Sequence, residues 1–162
     1  RLSPYIDIMK ILNNFDVNQI VAETIFKSDL NLFVADGFYC MYSDNYIAGE
    51  GYKKFQKWLF NRGILNWRPS FDCDNYAEAF RVFLQIIHSK TISKQSDSAS
   101  KQSVAFGIIW YTRDVNGGHA INFYITQHAD TDKPVLRFIE PQTGQIMQLS
   151  ESELQSISFA LI

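Results

Sequence analysis

Apolar and polar positions change their period once along this chain. Up to about residue 88 apolar residues recur every three or four positions, and after residue 103 they alternate, the marks of helices and of strands respectively. The clearest helix runs from Cys73 to about His88, with Tyr76, Ala77, Phe80, Phe83, Leu84 and Ile87 on one stripe. Asp72 is its expected N-cap, Pro69 stands three residues before, and Asp74 adds negative charge to the first turn. Upstream, Ser3 to Asn14 predicts a short helix through Ile6, Ile8, Met9, Ile11 and Leu12. Asp16 followed by Gln19 reads as a capping box for a second helix, with Ile20, Val21, Thr24 and Ile25 on one side and an end near Ser28. Asn31 to Met41 predicts a strand or a tight hairpin around Asp36-Gly37, and Tyr42 to Gly51 a loop. Tyr52 to Asn61 predicts an amphipathic helix that buries Phe55, Trp58 and Leu59 and stops at Gly63.

Ser89 to Ser103 is rich in Ser, Lys and Gln and predicts a flexible loop of passive length. Strands follow over Val104–Thr112, His119–Gln127, Pro134–Glu140 and Gln145–Leu149, with turns over Arg113–Gly118 and Pro141–Gly144. Ser150 to Gln155 reads as a helical turn and Ile157 to Ile162 as a closing strand. The order predicts one α+β domain over residues 1–162. Its helical part is 1–88, its loop 89–103, and its antiparallel sheet 104–162, with the cysteine-bearing helix packed on the sheet.

Composition narrows the classes. The chain has 162 residues, 46% hydrophobic and 15% aromatic, enough to fold around a core without disulfides. A formal net charge of −2 gives no electrostatic case for a nucleic-acid partner. No apolar run reaches the length of a membrane span, so a soluble chain is expected. Cys40 and Cys73 are the two cysteines; two make neither a disulfide framework nor a zinc site, and one bridge between them stays open. The chain begins at Arg1 without a signal-peptide pattern and reads as a trimmed piece lacking a targeting segment.

Position gives Cys73 its interest. The first turn of a helix carries unpaired N–H groups and a positive dipole end, which favour a thiolate. Taken alone, Cys73 reads more readily as a small buried apolar residue. The strands add partners. A hairpin about His128–Lys133 that pairs Phe123 with Leu136 and Ile121 with Phe138 sets His119 directly opposite Glu140, on the face expected to meet the helix. Thiol, imidazole and carboxylate in one place are the groups of nucleophilic acyl transfer: nucleophile, base and orienter. His88 and His128 fall at element ends and read as surface residues.

Phe71-Asp72-Cys73-Asp74, Gly118-His119-Ala120-Ile121-Asn122 and Glu140-Pro141-Gln142 resemble the papain-like protease domain of mushroom agglutinins of the Marasmius type, over roughly Trp67 to Leu149. The resemblance implies a papain-like fold and a cysteine hydrolase acting on protein or peptide substrates through a thioester acyl-enzyme. In it Cys73 is nucleophile, His119 base and Glu140 orienter. Gln142 and Trp67 shape the site, and Gln142 or Asn66 supplies the second oxyanion donor beside the Cys73 N–H. No cofactor is required by the sequence; calcium enters by resemblance only, with Asp72, Asp74, Asp114 and Asp130 as carboxylates able to serve. Two other readings stay open. Gly117-Gly118-His119 with Glu140-Pro141-Gln142-Thr143-Gly144 is similar to papain-fold glutamine deamidase or transglutaminase-like effectors. A non-catalytic binding module on the same fold, using exposed aromatics as an interface, is the third.

Overall fold

A computed structural model describes residues 8–27, 29–92, 102–113 and 117–162. Its element order is β1 (Ile8–Asn13), α1 (Asn14–Ile25), β2 (Asn31–Phe33), β3 (Phe38–Tyr42), a π-helical stretch (Asn45–Gly51), α2 (Tyr52–Phe60), α3 (Cys73–Ile92), β4 (Ser103–Val104), β5 (Phe106–Arg113), β6 (Gly117–Gln127), β7 (Pro134–Ile139), β8 (Ile146–Met147), α4 (Glu151–Gln155) and β9 (Phe159–Leu161). The α+β class therefore holds. The strands form a small sheet in the order β1-β3-β4 and a larger one in the order β2-β9-β5-β6-β7-β8.

The larger sheet is a middle layer. Along β6 the odd positions Ile121, Phe123 and Ile125 pack with Val17, Val21 and Ile25 of α1. The even positions meet α3: Tyr124 joins Phe80 and Phe83, and Ala120 joins Ala77. The expected stripe of α3 is buried at Tyr76, Ala77, Phe80, Phe83 and Leu84. Ala77 and Ala120 are small, and they let helix and sheet approach closely. Asn122, fully buried, uses that proximity: its amide donates to Ala77 O at 2.9 Å and to Gly107 O at 3.0 Å.

Several expectations are corrected. Ile8–Asn13 is a strand, because pairing with β3 (Ile11↔Cys40, Leu12↔Tyr39) outweighs its helical spacing; Ser3 to Asp7 lie outside the described residues. The capping box of α1 is Asn13 with Asp16, three residues earlier than expected. Asn31–Met41 is no hairpin: β2 pairs in parallel with β9 and β3 joins the other sheet. Tyr42–Gly51 contains the π-helical stretch. The strand at Val104–Thr112 divides at Ala105, where the chain passes from one sheet to the other. The larger sheet is mixed, because β2 runs parallel to β9. Of the predicted loop, residues 93–101 lie outside the described residues, and 89–92 continue α3.

The β6–β7 register differs from the expected one by two residues: Phe123 faces Phe138 and Ile125 faces Leu136. Two residues is one full period of a strand, so every side chain keeps its face. The turn sets the shift, with His128 N donating to Lys133 O at 2.8 Å and Asp132 N to His128 O at 3.1 Å. The face itself was assigned to the wrong helix: α1, not α3, covers Ile121, Phe123 and Ile125.

His88 is buried, not on the surface. One ring nitrogen meets the Tyr42 hydroxyl and the other Gln102 O at 2.9 Å, fastening α3 to the chain that enters β4. His128 is half-buried.

Two outcomes follow from this packing. A Cβ on Gly107 would lie 2.4 Å from Leu161 O and 2.5 Å from the Phe123 ring. Gly107→Ala is therefore expected to lower stability in urea unfolding by about 2–3 kcal/mol, whereas Gly37→Ala, with nothing within 4 Å, should stay within about 0.5 kcal/mol. Burial holds the His88 imidazole below its ordinary value, against the opposing hydrogen bond to Gln102. The unfolded chain then takes up a proton near pH 6.5 that the folded chain refuses. Stability should be full above about pH 6.5 and fall as the pH drops from there, with a smaller fall in His88→Gln.

Candidate functional site

Cys73 opens α3, whose first turn is set by Tyr76 N donating to Asp72 O at 3.0 Å and by Asp72 N donating to the Asn75 side chain at 3.2 Å. The thiol is free and half-buried, and Cys40 is free and buried, so no bridge joins them. The β5–β6 hairpin places His119 opposite Tyr111 and Gly118 opposite Thr112. The His119 ring stands edge-on to Tyr111, with centroids 5.9 Å apart.

Glu140 follows β7 and is held by its own turn. Its backbone carbonyl accepts from Gly144 N at 2.7 Å and Thr143 N at 3.3 Å, and its carboxylate accepts from Gln142 N at 3.2 Å. Gly144 closes the turn at φ +75, against the Tyr52 ring, where a side chain has no room. So held, Glu140 Oε2 accepts from His119 Nε2 at 2.8 Å, and Arg113 Nη2 lies 3.4 Å from the same oxygen. An ionised carboxylate only accepts, so the proton on Nε2 is the one it orders. His119 and Glu140 are both buried. They meet across a diagonal of the sheet rather than directly, because of the two-residue register shift.

Cys73, His119, Glu140, Gln142 and Trp67 line one cavity of about 430 Å³, with Arg113, Gly118 and Thr143. The structure thus brings together five of the six expected site residues. Asn66 is exposed and lines none of the cavities described. The Cys73 thiol makes no hydrogen bond among the described residues. Cys73 and His119 nevertheless share the walls of the same cavity.

Arg113 was missed because it stood in a predicted turn. The hairpin register that puts Tyr111 opposite His119 also brings Arg113 alongside, and that register is readable from the alternation of the two strands. A second cavity of about 300 Å³ borders the first, with Cys73, Gly118 and His119 in both walls and Trp110, Ser156 and Ser158 in its own. Among the described residues no three His, Cys, Asp or Glu side chains are grouped to hold a metal ion. Asp72 and Asp74 share a hydrogen bond that raises the Asp72 pKa; Asp114 lies outside the described residues. Nor, among those residues, is any helix long and apolar enough to cross a membrane.

The family model described as "Agglutinin C-terminal" matches residues 50–146, well over half of the chain, and the chain belongs to that family. A structure titled as the complex of PSL1a with E64 superposes with a TM-score of 0.67 at 18% identity, covering 94% of this chain and 51% of the other. Polyporus squamosus lectin bound to the human-type influenza-binding epitope Neu5Acα2-6Galβ1-4GlcNAc superposes with a TM-score of 0.66 at 18% identity, covering 94% and 49%. The chain thus spans about half the length of each. A comparison with curated proteins finds no match. These findings correct the peptidase part of the resemblance: the hydrolase and thiol-protease class, the acyl-enzyme, and the protein or peptide substrate. The residue types misled because a polar ligand site and an acyl-transfer site draw on the same side chains.

The two thiols should behave differently. Burial pushes the Cys40 thiol up to about 11, and its Sγ donates to Gln102 Oε1 at 2.8 Å. Iodoacetamide at pH 7.5 is expected to label half-buried Cys73 in the native protein and leave Cys40 unlabelled until urea is added, as read by intact mass and peptide mapping. Equal native labelling would show that the β3 region opens.

Proposed function

We propose that this agglutinin C-terminal domain is a non-catalytic binding module on a papain-like frame, acting as a single unit over its 162 residues. Its ligand is a glycan, held in the cavity walled by Trp67, Arg113, His119, Glu140 and Gln142. The family membership carries this reading. The epitope named for the Polyporus squamosus lectin supports the ligand class.

The chemistry of the cleft supports it too. Trp67 is 55% exposed and offers an apolar face of the kind on which the C–H face of a sugar ring stacks. Around it stand a cation, a carboxylate and an amide, a few fixed polar groups of the sort that orient a small ligand. Glu140 is tied to His119 and Arg113, so the polar wall is ordered before any ligand arrives. In this reading the His119–Glu140 pair is a rigid part of the wall, and Cys73 is its floor.

Titration calorimetry with Neu5Acα2-6Galβ1-4GlcNAc and its desialylated disaccharide tests the reading. Saturable binding is expected, weakened about tenfold, or about 1.4 kcal/mol, in Trp67→Ala. Binding unaffected by Trp67→Ala would move the site elsewhere on the domain. Cleavage or deamidation of a protein that disappears in Cys73→Ala would overturn the non-catalytic reading outright.

A further inference from the structure

Residues 52–71 hold five of the chain's 15 Lys and Arg and none of its 17 Asp and Glu. The chain as a whole carries a net charge of −2, so this stretch is a basic island on an acidic protein. It spans α2 and the connection from α2 to α3. We infer that the island, with two apolar side chains that project from it, docks on the surface of anionic phospholipid membranes. The face concerned is α2 with residues 60–65, none of which line the cavity of Cys73 and His119, so the inference does not depend on what that cavity binds.

The helix sets the geometry. α2 turns Tyr52, Phe55 and Leu59 into the core, which leaves Lys53, Gln56, Lys57 and Phe60 along one outward stripe. Phe60 ends that stripe 66% exposed, and Leu65 is 62% exposed. Gly63, at φ +71, reverses the chain after α2, with Ile64 N donating back to Leu59 O at 3.1 Å. Leu65 is thereby returned to Phe60, and the two border a shallow cleft of about 150 Å³. Two of the cations are engaged locally: Lys54 pairs with Glu50 at 2.6 Å, and Arg62 lies 3.9 Å over the Trp58 ring. Lys53, Lys57 and Arg68 are exposed and make no ion pair among the described residues. Burial raises the pKa of Tyr76, on the wall of the same cleft, and Arg68 opposes that rise, which sets Arg68 beside the apolar pair.

Size and charge together name the occupant. The cleft is below the range of about 300–1,000 Å³ typical of a small-molecule site. Two projecting side chains supply far less than the roughly 800 Å² that each partner gives to a stable protein interface. A bilayer surface requires less. Phe60 and Leu65 can enter the boundary between headgroups and acyl chains while lysine and arginine heads stay at the level of the lipid phosphates. Carboxylates would be repelled there, and the stretch contains none. The acids that flank it in sequence are Glu50, already held by Lys54, and Asp72 at the start of α3.

Vesicle cosedimentation of the whole chain tests the inference. The probes are vesicles of phosphatidylcholine alone and vesicles that include about 30% phosphatidylserine. Binding to the second is expected to be at least about tenfold tighter than to the first, and to weaken when salt is raised to about 0.5 M. Phe60→Ser with Leu65→Ser should lower the partition coefficient about tenfold, and Lys53→Gln with Lys57→Gln by about the same factor. All four side chains are exposed, so unchanged urea midpoints will show that each double variant is folded. No preference for phosphatidylserine, or binding that either double variant leaves unchanged, overturns the inference; loss in the lysine pair alone would be charge adsorption without apolar contact. If vesicles are not bound but the chain dimerises in sedimentation equilibrium until Phe60 and Leu65 are replaced, the face belongs to a second copy and the inference fails. The vesicles carry no sugar, so each of these outcomes leaves the glycan reading where it stood.

Discussion

One buried amide holds the parts of this domain in register. Asn122 sits in the middle of β6 with no exposure, and its side-chain N–H₂ joins a carbonyl of α3 to a carbonyl of β5. A buried amide left without such partners costs about 1–3 kcal/mol, so helix and strand cannot slide past one another without that loss. The bridge forms where small Ala77 and Ala120 keep the layers close. Asn122 Oδ1 has no partner among the described residues, so the donors alone make the link. Fixing α3 fixes where its first residue lies, and that residue is Cys73.

The rest of the cleft follows from the sheet being buried on both faces. Covered by α1 on one side and α3 on the other, β6 opens to solvent only at its ends, and the cavity of Cys73 and His119 lies at the end where it begins. There two glycines, Gly117 and Gly118, precede His119, and the turn after β7 presents Glu140. The carboxylate is oriented by hydrogen bonds within its own turn before it touches the imidazole. This is order built from local backbone geometry, and it costs little when a ligand binds.

Much of this was legible in the chain. The stripe of α3, the β6–β7 hairpin, the Pro141–Gly144 turn and the helical turn after Ser150 are local patterns, and local patterns are what a sequence displays. The juxtaposition of His119 and Glu140 also followed from alternation, because a register change of two residues preserves the face. What could not be read was non-local. The strand character of Ile8–Asn13 depends on β3, the insertion of β9 between β2 and β5 depends on closing the whole sheet, and the burial of His88 depends on Tyr42 and Gln102, far away in sequence. The chemistry was misread for a different reason. Residue types and positions limit what a site can do, but the same thiol, ring and carboxylate serve in walls that merely bind. Here the reading as a wall rests on the family.

The most direct measurement is a crystal structure of the domain soaked with Neu5Acα2-6Galβ1-4GlcNAc. The account predicts sugar density stacked on Trp67, within hydrogen-bond distance of Gln142 and Arg113, with the Cys73 sulfur unmodified. Sugar bound away from this cleft, or an acyl group carried on that sulfur when a peptide is soaked in its place, would contradict it.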